Sequence, residues 1–401
     1  MERRAFLKVT AQLAAVAFFW RKEGVASSQP LTDARLPALG KPTRVSLAGV
    51  GRGASPQIVK SAVRAAAESA TDFSWLSKGD AVFIKPALNS GNPYPATTSP
   101  EAIAAVVQML KEKGAGRVIV GDMCGIEFVK LSQEGLSGSS RSLMEASGMA
   151  RAATAAGAEL HFFEESGWSA FYEDFPAASS HWNRGLMMPK ILKEVYHIVL
   201  MPRCSRHVLA GSTLGLKAAV GYWRTDTRLE YHRDASTFQE KTAEGNTVNT
   251  LLKKQRLVLS AADKILTTFG PDKGVVQQPE IGLVMASESV VAHDMVSLAW
   301  LLDNRRSVPS SQKEGFKDPY ASQWMVSVSN LWVVNRLGSL GQAIDSERLT
   351  RNDINTIWDD RVLNRAYQVF GNMPAVVLEA ANDVLPQALK RRLAECTTPP
   401  A

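Results

Sequence analysis

Cysteine is scarce in this chain: Cys124, Cys204 and Cys396 are the only three in 401 residues, odd in number and far apart. No disulfide framework, CxxC redox pair, zinc motif or ferredoxin cysteine set can be drawn from them, so no iron–sulfur cluster is expected. A long hydrophobic run is also missing, since the apolar stretch Val9 to Trp20 spans about 12 residues, well short of the ~20 that cross a bilayer. Nor is there a strong charge of one sign. Lys plus Arg number 46 against 39 Asp plus Glu, for a net +7, and much of that excess sits at the front, where Arg3, Arg4, Lys8, Arg21 and Lys22 face only Glu2 and Glu23. So mild a balance argues against a nucleic-acid partner, which demands a concentrated basic face. Repeats are not evident, and 28 Gly and 19 Pro are ordinary usage, which excludes fibrous and low-complexity classes. What is present is core material: 45% hydrophobic residues with nine Trp, 14 Phe and seven Tyr. The chain is therefore a soluble globular protein, and a length prior of roughly 150 residues per domain suggests two or three units.

Residues 1–26 have the three parts of a signal peptide: a basic start, an apolar stretch, and a short polar end closing in Gly24, Val25 and Ala26. The paired arginines of ERRAFLK resemble the twin-arginine export signal. That resemblance implies an exported, periplasmic or extracytoplasmic protein, the twin-arginine translocation machinery as a partner, and folding with any cofactor before export.

A linker over residues 27–42 precedes alternating short apolar runs and helical patterns, the signature of parallel strands joined by crossover helices. Strands are expected at Val45–Ala48, Ala81–Lys85, Arg117–Gly121, Glu159–Phe163, His197–Met201, Lys264–Thr268 and Gly282–Ala286. Helices are expected at Pro56–Ala70 and Pro100–Lys113, each with Pro in its first turn, the second closed by Gly114. The expected class is α/β: a mostly parallel sheet with crossover helices over residues 43–303, a linker at 304–320, and a helical C-terminal extension over 321–401 without strands.

Several segments carry candidate chemistry. Gly49, Gly51 and Ala54 fit a relaxed dinucleotide fingerprint, but the second strand ends at Lys85 and Pro86 rather than at a ribose-binding acid, so a plain strand-to-helix turn is the favoured reading. Lys85 at a strand end, followed by Asn89, Thr98 and Ser99, suggests an anion pocket beside a helix start, against the plainer reading of a snorkelling lysine and an N-cap at Ser99. Asp122, with Cys124 two residues on, would face the same crevice from the next strand, although a lone Cys near an Asp is more often a packing residue than a nucleophile. The densest stretch is MPRCSRHVLAGSTLGLKAAVGYWRTDTRLEYHRD, where Cys204, Arg206, His207, Lys217, Arg224, His232 and Arg233 arrive within some thirty residues. Such crowding favours an anionic ligand, and His207 is suited to proton transfer. Its plain alternative is a basic surface loop. Asp294, beside His293 on a helix, reads more readily as a helix-dipole or capping residue than as a catalyst.

VFIKPALN, TTSPEAIAAVV, GRVIVGD, CSRHVLAGSTLGLKAAVG and IGLVMASESVVAHDMVSLAWLL together resemble the domain of unknown function 362 family over Val45 to Leu302. The chain departs from that family's pattern with Ala87 after Lys85-Pro86, and with Ser205-Arg206-His207 and Lys217-Ala218 further on. HVLAGSTLGLKAAVG is more distantly similar to the lactate racemase family, which uses a nickel pincer nucleotide to racemise or epimerise 2-hydroxy acids by hydride transfer. By position, that resemblance implies His207 as an acid/base histidine, Lys217 as the lysine that carries the cofactor, and His232 as the metal ligand. Leu214 and Leu216 stand where small residues are expected, and GDMCG lacks a further catalytic histidine.

These readings converge on an exported enzyme that binds a small anionic molecule or nucleotide-like cofactor at the strand C-terminal ends. Lys85, Asn89, Thr98, Ser99, Arg206 and Lys217 would bind, His207 and Asp122 would act on protons, and His232 would bind metal. The competing class is a noncatalytic binding or assembly protein with the same pocket, and either is compatible with an oligomer formed through the C-terminal helices.

Overall fold

The computed structural model describes residues 37–400 except 177, 178, 315 and 316. The signal segment and most of the first linker lie outside the described residues. The centre is an eight-stranded sheet in the order Met373–Ala380, Leu39–Gly51, Ile281–Ser287, Gln255–Ala262, His197–Met201, Ala81–Pro86, Arg117–Asp122, Glu159–Phe162. The last five strands pair in parallel, Leu39–Gly51 runs parallel to Met373–Ala380, and only Ile281–Ser287 is antiparallel to its neighbours. Ala81–Pro86 and His197–Met201 are buried along their whole length, as strands covered on both faces must be.

Side-chain alternation divides two cores. Ala48, Val50, Leu257, Leu259, Val284 and Ala286 face one layer, with the helices Pro56–Ala70 and Pro100–Glu112. Val45, Leu47, Val258, Leu283 and Met285 face the other, under the helix Val290–Arg306 and the C-terminal helices. Ser55 and Ser99 cap the first two helices through their side chains, each followed by Pro, and Gly114 ends the second at φ +104°. No helix among the described residues is long and apolar enough to cross a membrane.

Two expectations are corrected. The main-sheet strand is Gln255–Ala262, while Ile265–Leu266 belongs to a small separate sheet with Ser205–His207, Gly211–Thr213 and Val276–Gln277. The C-terminal region is helical, at Gln323–Leu337, Arg361–Val369 and Gln387–Thr397, but it also contributes the strand Met373–Ala380, which forms one edge of the main sheet. Gly49 is tight for a reason unrelated to nucleotides: a Cβ there would lie 2.7 Å from the backbone of Val384 and Leu385, and its N–H donates to Asn382.

Candidate functional site

The strands Ala81–Pro86 and Arg117–Asp122 deliver Lys85 and Asp122 side by side at their C-terminal ends. Lys85 Nζ lies 3.0 Å from Asp122 Oδ2 and donates to the Pro86 carbonyl at 2.9 Å, while Asp122 also accepts from the Leu88 and Met123 amides. Burial is the main influence on both, lowering the lysine and raising the carboxylate, and each partner's charge opposes that shift. Gly221 packs its backbone directly on this pair, leaving no room for a Cβ. Arg228 closes the same corner by donating to the carbonyls of Trp223, Cys124, Met123 and Gly221 at 2.7–3.0 Å, and pairs with no carboxylate among the described residues. Arg203, also fully buried, donates to the Ala96 and Pro271 carbonyls and to the Asn89 amide oxygen.

Thr98 stitches two strand ends together, donating to Met201 O at 2.6 Å and accepting from Ala87 N at 2.8 Å. Ser99 caps its helix by accepting from Ala102 N at 3.3 Å. The Cys124 and Cys204 thiols donate to the carbonyls of Asn89 and Ser297, and burial raises both. Such thiols are packing groups rather than nucleophiles.

Beyond the strand His197–Met201, the hairpin Ser205–His207/Gly211–Thr213, the short helix Gly215–Ala218 and the helix Thr225–Arg233 bring His207, Lys217 and His232 into mutual electrostatic reach. The hydrogen bonds assign each imidazole a tautomer. His207 Nδ1 accepts from the Leu209 and Ala210 amides at 3.1 and 3.3 Å, so its neutral ring carries the proton on Nε2. His232 is the reverse. Asn330 donates through Nδ2 to the His232 carbonyl at 2.8 Å, which turns its Oδ1 toward His232 Nδ1 at 2.9 Å; Nδ1 carries the proton and Nε2 is a bare acceptor.

Lys217 makes no hydrogen bond or ion pair among the described residues, its ammonium standing 5.7 Å from the Tyr231 ring. Burial, followed by the charges of Arg228, Arg203 and Lys85, pushes it down to about 7. His232 is pushed down to about 3, by burial first and then by Lys217 and Arg228 against the opposing Asn330 bond. His207 is held well below the usual imidazole range by burial, then Lys217, Arg203 and His232. His207 and Lys217 both retain partial solvent exposure. The arrangement is thus an amine that is partly uncharged at neutrality, within electrostatic reach of one imidazole N–H donor and one imidazole acceptor, in a field dominated by cations.

Arg206 lies elsewhere. Its guanidinium stacks on Tyr320 at 4.2 Å, with Nε and Nη1 unpartnered, and Arg305, Asp318 and Asp360 are the charges around it. The structure therefore gathers Lys217, His207 and His232, sets Lys85 and Asp122 beside them as a closed ion pair, and separates Arg206. Arg203, Arg228 and Asn330 were missed by the sequence reading; only the general crowding of cations after Met201 hinted at the first two. Asp294 does cap a helix, but a neighbouring one: its carboxylate accepts from the Gly215 and Leu216 amides at 2.8 and 2.7 Å. Those amides are therefore not free to cradle an anion.

A mostly parallel α/β sheet, with a lysine and two complementary histidines on the segments that follow the strand His197–Met201, defines the class. The chain belongs to the family described as Domain of unknown function (DUF362), whose model matches residues 82–299. No curated protein matches the sequence. Among solved structures it is similar to the lactate racemase apoprotein from Thermoanaerobacterium thermosaccharolyticum, at 13% identity and a TM-score of 0.36, with 58% of this chain and 52% of that chain covered. The chain thus spans about half the length of that protein.

Proposed function

We propose that this protein is an exported enzyme that holds a small anionic, acyl- or carbonyl-bearing ligand, or a nucleotide-like cofactor, against Lys217, with His207 as N–H hydrogen-bond donor and His232 as hydrogen-bond acceptor or metal ligand. The observation that carries the reading is the pairing of opposite tautomers around an unpaired amine, fixed by hydrogen bonds at Leu209, Ala210 and Asn330. The anionic character of the ligand follows from the three cations that act most strongly on Lys217.

A nickel pincer nucleotide is the specific form of this reading that the lactate racemase resemblance implies. The donor set fits it at two points: Lys217 offers an unpaired amine for an acyl linkage, and His232 offers a bare Nε2 for nickel. Bound there, such a group supplies hydride exchange with a hydroxy acid. Among the described residues no group of three or more His, Cys, Asp or Glu is placed to hold a metal, so nickel would have to arrive with most of its ligands. His207 Nε2–H would donate to an oxygen of the substrate, and the cationic corner at Arg203 and Arg228 would orient its carboxylate. Export through the twin-arginine machinery and self-association through the C-terminal helices belong to the same proposal.

The test is metal analysis with intact mass spectrometry on protein purified folded from an exporting host. The expected result is added mass at Lys217, lost in Lys217→Met, with stoichiometric nickel in the pincer case. An unmodified, metal-free chain would overturn the pincer form. His207→Asn then separates an enzyme from a carrier: an enzyme keeps its ligand and loses turnover.

A further inference from the structure

The short helix that carries Lys217 has only four residues, Gly215–Ala218, and no side-chain cap of its own. A helix so short does not hold its geometry unaided. Its two leading amides are instead satisfied from outside, by the two oxygens of one carboxylate: Asp294 Oδ1 accepts from Gly215 N at 2.8 Å, and Oδ2 from Leu216 N at 2.7 Å. Asp294 sits on the 17-residue helix Val290–Arg306, nearly all of which is buried, so the acceptor is mounted on one of the most firmly packed elements of the fold. Approach this close requires Gly215, where a Cβ would lie 2.8 Å from Asp294 Oδ1 and 2.9 Å from Val290. The carboxylate is oriented in turn by a second tier. His293 Nδ1 lies 2.9 Å from Asp294 Oδ1, and His293 Nε2 lies 2.9 Å from Ser260 Oγ on the sheet strand Gln255–Ala262. At the other side of the turn, Asn246 Nδ2 donates to the Leu216 carbonyl at 2.9 Å.

The geometry points to Asp294 as a positioning residue for Lys217, which clamps the lysine's turn through the Gly215 and Leu216 amides and is itself aligned by the His293–Ser260 pair. The inference rests on the reading of Lys217 as the ligand-holding amine, and adds the residues that keep that amine inside the cationic corner. Asp294 touches no ligand in this scheme. It acts by holding two backbone N–H groups, so removing it frees the turn and lets the Lys217 side chain swing from beside Arg203, Arg228, Lys85, His207 and His232 into water.

Reductive methylation with formaldehyde and cyanoborohydride reads this out lysine by lysine through peptide mass analysis. The full chain is used, on protein whose intact mass shows Lys217 unmodified, with exposed Lys78 as the internal reference. In the wild type, Lys217 is expected to reach half its limiting rate near pH 7, well below the ~10.4 of a free lysine. Asp294→Ala should raise the Lys217 midpoint by about one unit or more toward the ordinary ~10.4. Asp294→Asn, which keeps the volume and one acceptor, should fall between the two, and carries the test should the alanine variant not fold. Val106→Ala, in the core on the opposite face of the sheet, removes buried volume away from the turn and should lower Tm while leaving the midpoint in place. An Asp294→Ala midpoint that stays near 7, or a Val106→Ala midpoint that moves as far, overturns the positioning role. A wild-type Lys217 midpoint near the ~10.4 of a free lysine overturns the reading of Lys217 beneath it, and so the two failures are distinguishable.

Discussion

The two site histidines are neutral for a reason that makes the protein acid-sensitive. An unfolded imidazole takes up its proton near 6.5, whereas folded His232 does so only at about 3, and His207 is also held well below its ordinary value. Between those values the unfolded chain binds more protons than the native one, so stability is present above about 6.5 and is lost as the pH falls toward 3. His232 alone should remove about 3 kcal/mol between pH 6.5 and pH 4, at 1.36 kcal/mol per unit. Urea unfolding across that range is expected to show this decline, with the slope reduced by about one proton in His232→Gln; an unchanged slope would mean that His232 charges freely in the fold. At this scale the sequence revealed which chemistry-bearing residues lie past the strand ends, because a strand end is legible from local pattern. It did not reveal their states. His232 owes its tautomer to Asn330, 98 residues on, and Lys217 owes its field to Arg203 and Arg228, whose guanidinium groups bind backbone carbonyls that no motif displays.

The two glycines that open the first strand-to-helix turn separate a nucleotide loop from a packing contact. In a phosphate cradle both would be needed for close approach of a ligand. Here a Cβ on Gly49 would collide with the backbone of Val384 and Leu385, whereas one on Gly51 would meet nothing within 4 Å. Gly49→Ala is therefore expected to cost about 1–3 kcal/mol in urea unfolding as an overpacking substitution. Gly51→Ala should stay within about 0.5 kcal/mol. Equal losses would point to backbone conformation rather than packing. Local signals also explain which elements were readable. The helices Pro56–Ala70 and Pro100–Glu112 carry their own caps, prolines and closing glycine, and the buried strands are uninterrupted apolar runs. By contrast, RLVLSAADKILTTF offers two apolar runs in succession, and only pairing with His197–Met201 and Ile281–Ser287 decides that the first enters the sheet. The segment MPAVVLEA falls within the region whose pattern predicts helix, yet it forms a strand because residues 39–47 supply a parallel partner more than 300 positions away.

That distant partner decides what kind of molecule this is. The family match ends at residue 299, which invites a division into an α/β domain and a dispensable tail. The packing argues otherwise. Ile357, Val362, Leu363, Ala366, Tyr367, Met373, Leu378, Leu385, Leu389 and Leu393 belong to the core beneath Val45, Leu47 and the helix Val290–Arg306. Each large apolar side chain among them contributes roughly 1.5–3 kcal/mol by burial, so their combined burial is at least on the order of the 5–15 kcal/mol that separates a folded domain from its unfolded chain. Polar contacts follow the same seam: Arg361 pairs with Glu240 at 2.8 Å, Arg365 with Glu244 at 2.7 Å, and Asn330 reaches back to His232. A chain ending at Asp303 would also bare the whole hydrogen-bonding edge of Leu39–Gly51, a template for aggregation. Such a truncation is expected to be insoluble, or to show no cooperative thermal transition by circular dichroism. A soluble 1–303 fragment with a sharp melt would make residues 321–400 a separate domain, and would require His232 to keep its tautomer without Asn330. If the truncation fails as expected, the C-terminal region is a working part of the site, because the fold that it completes also sets the bare nitrogen of His232 in place.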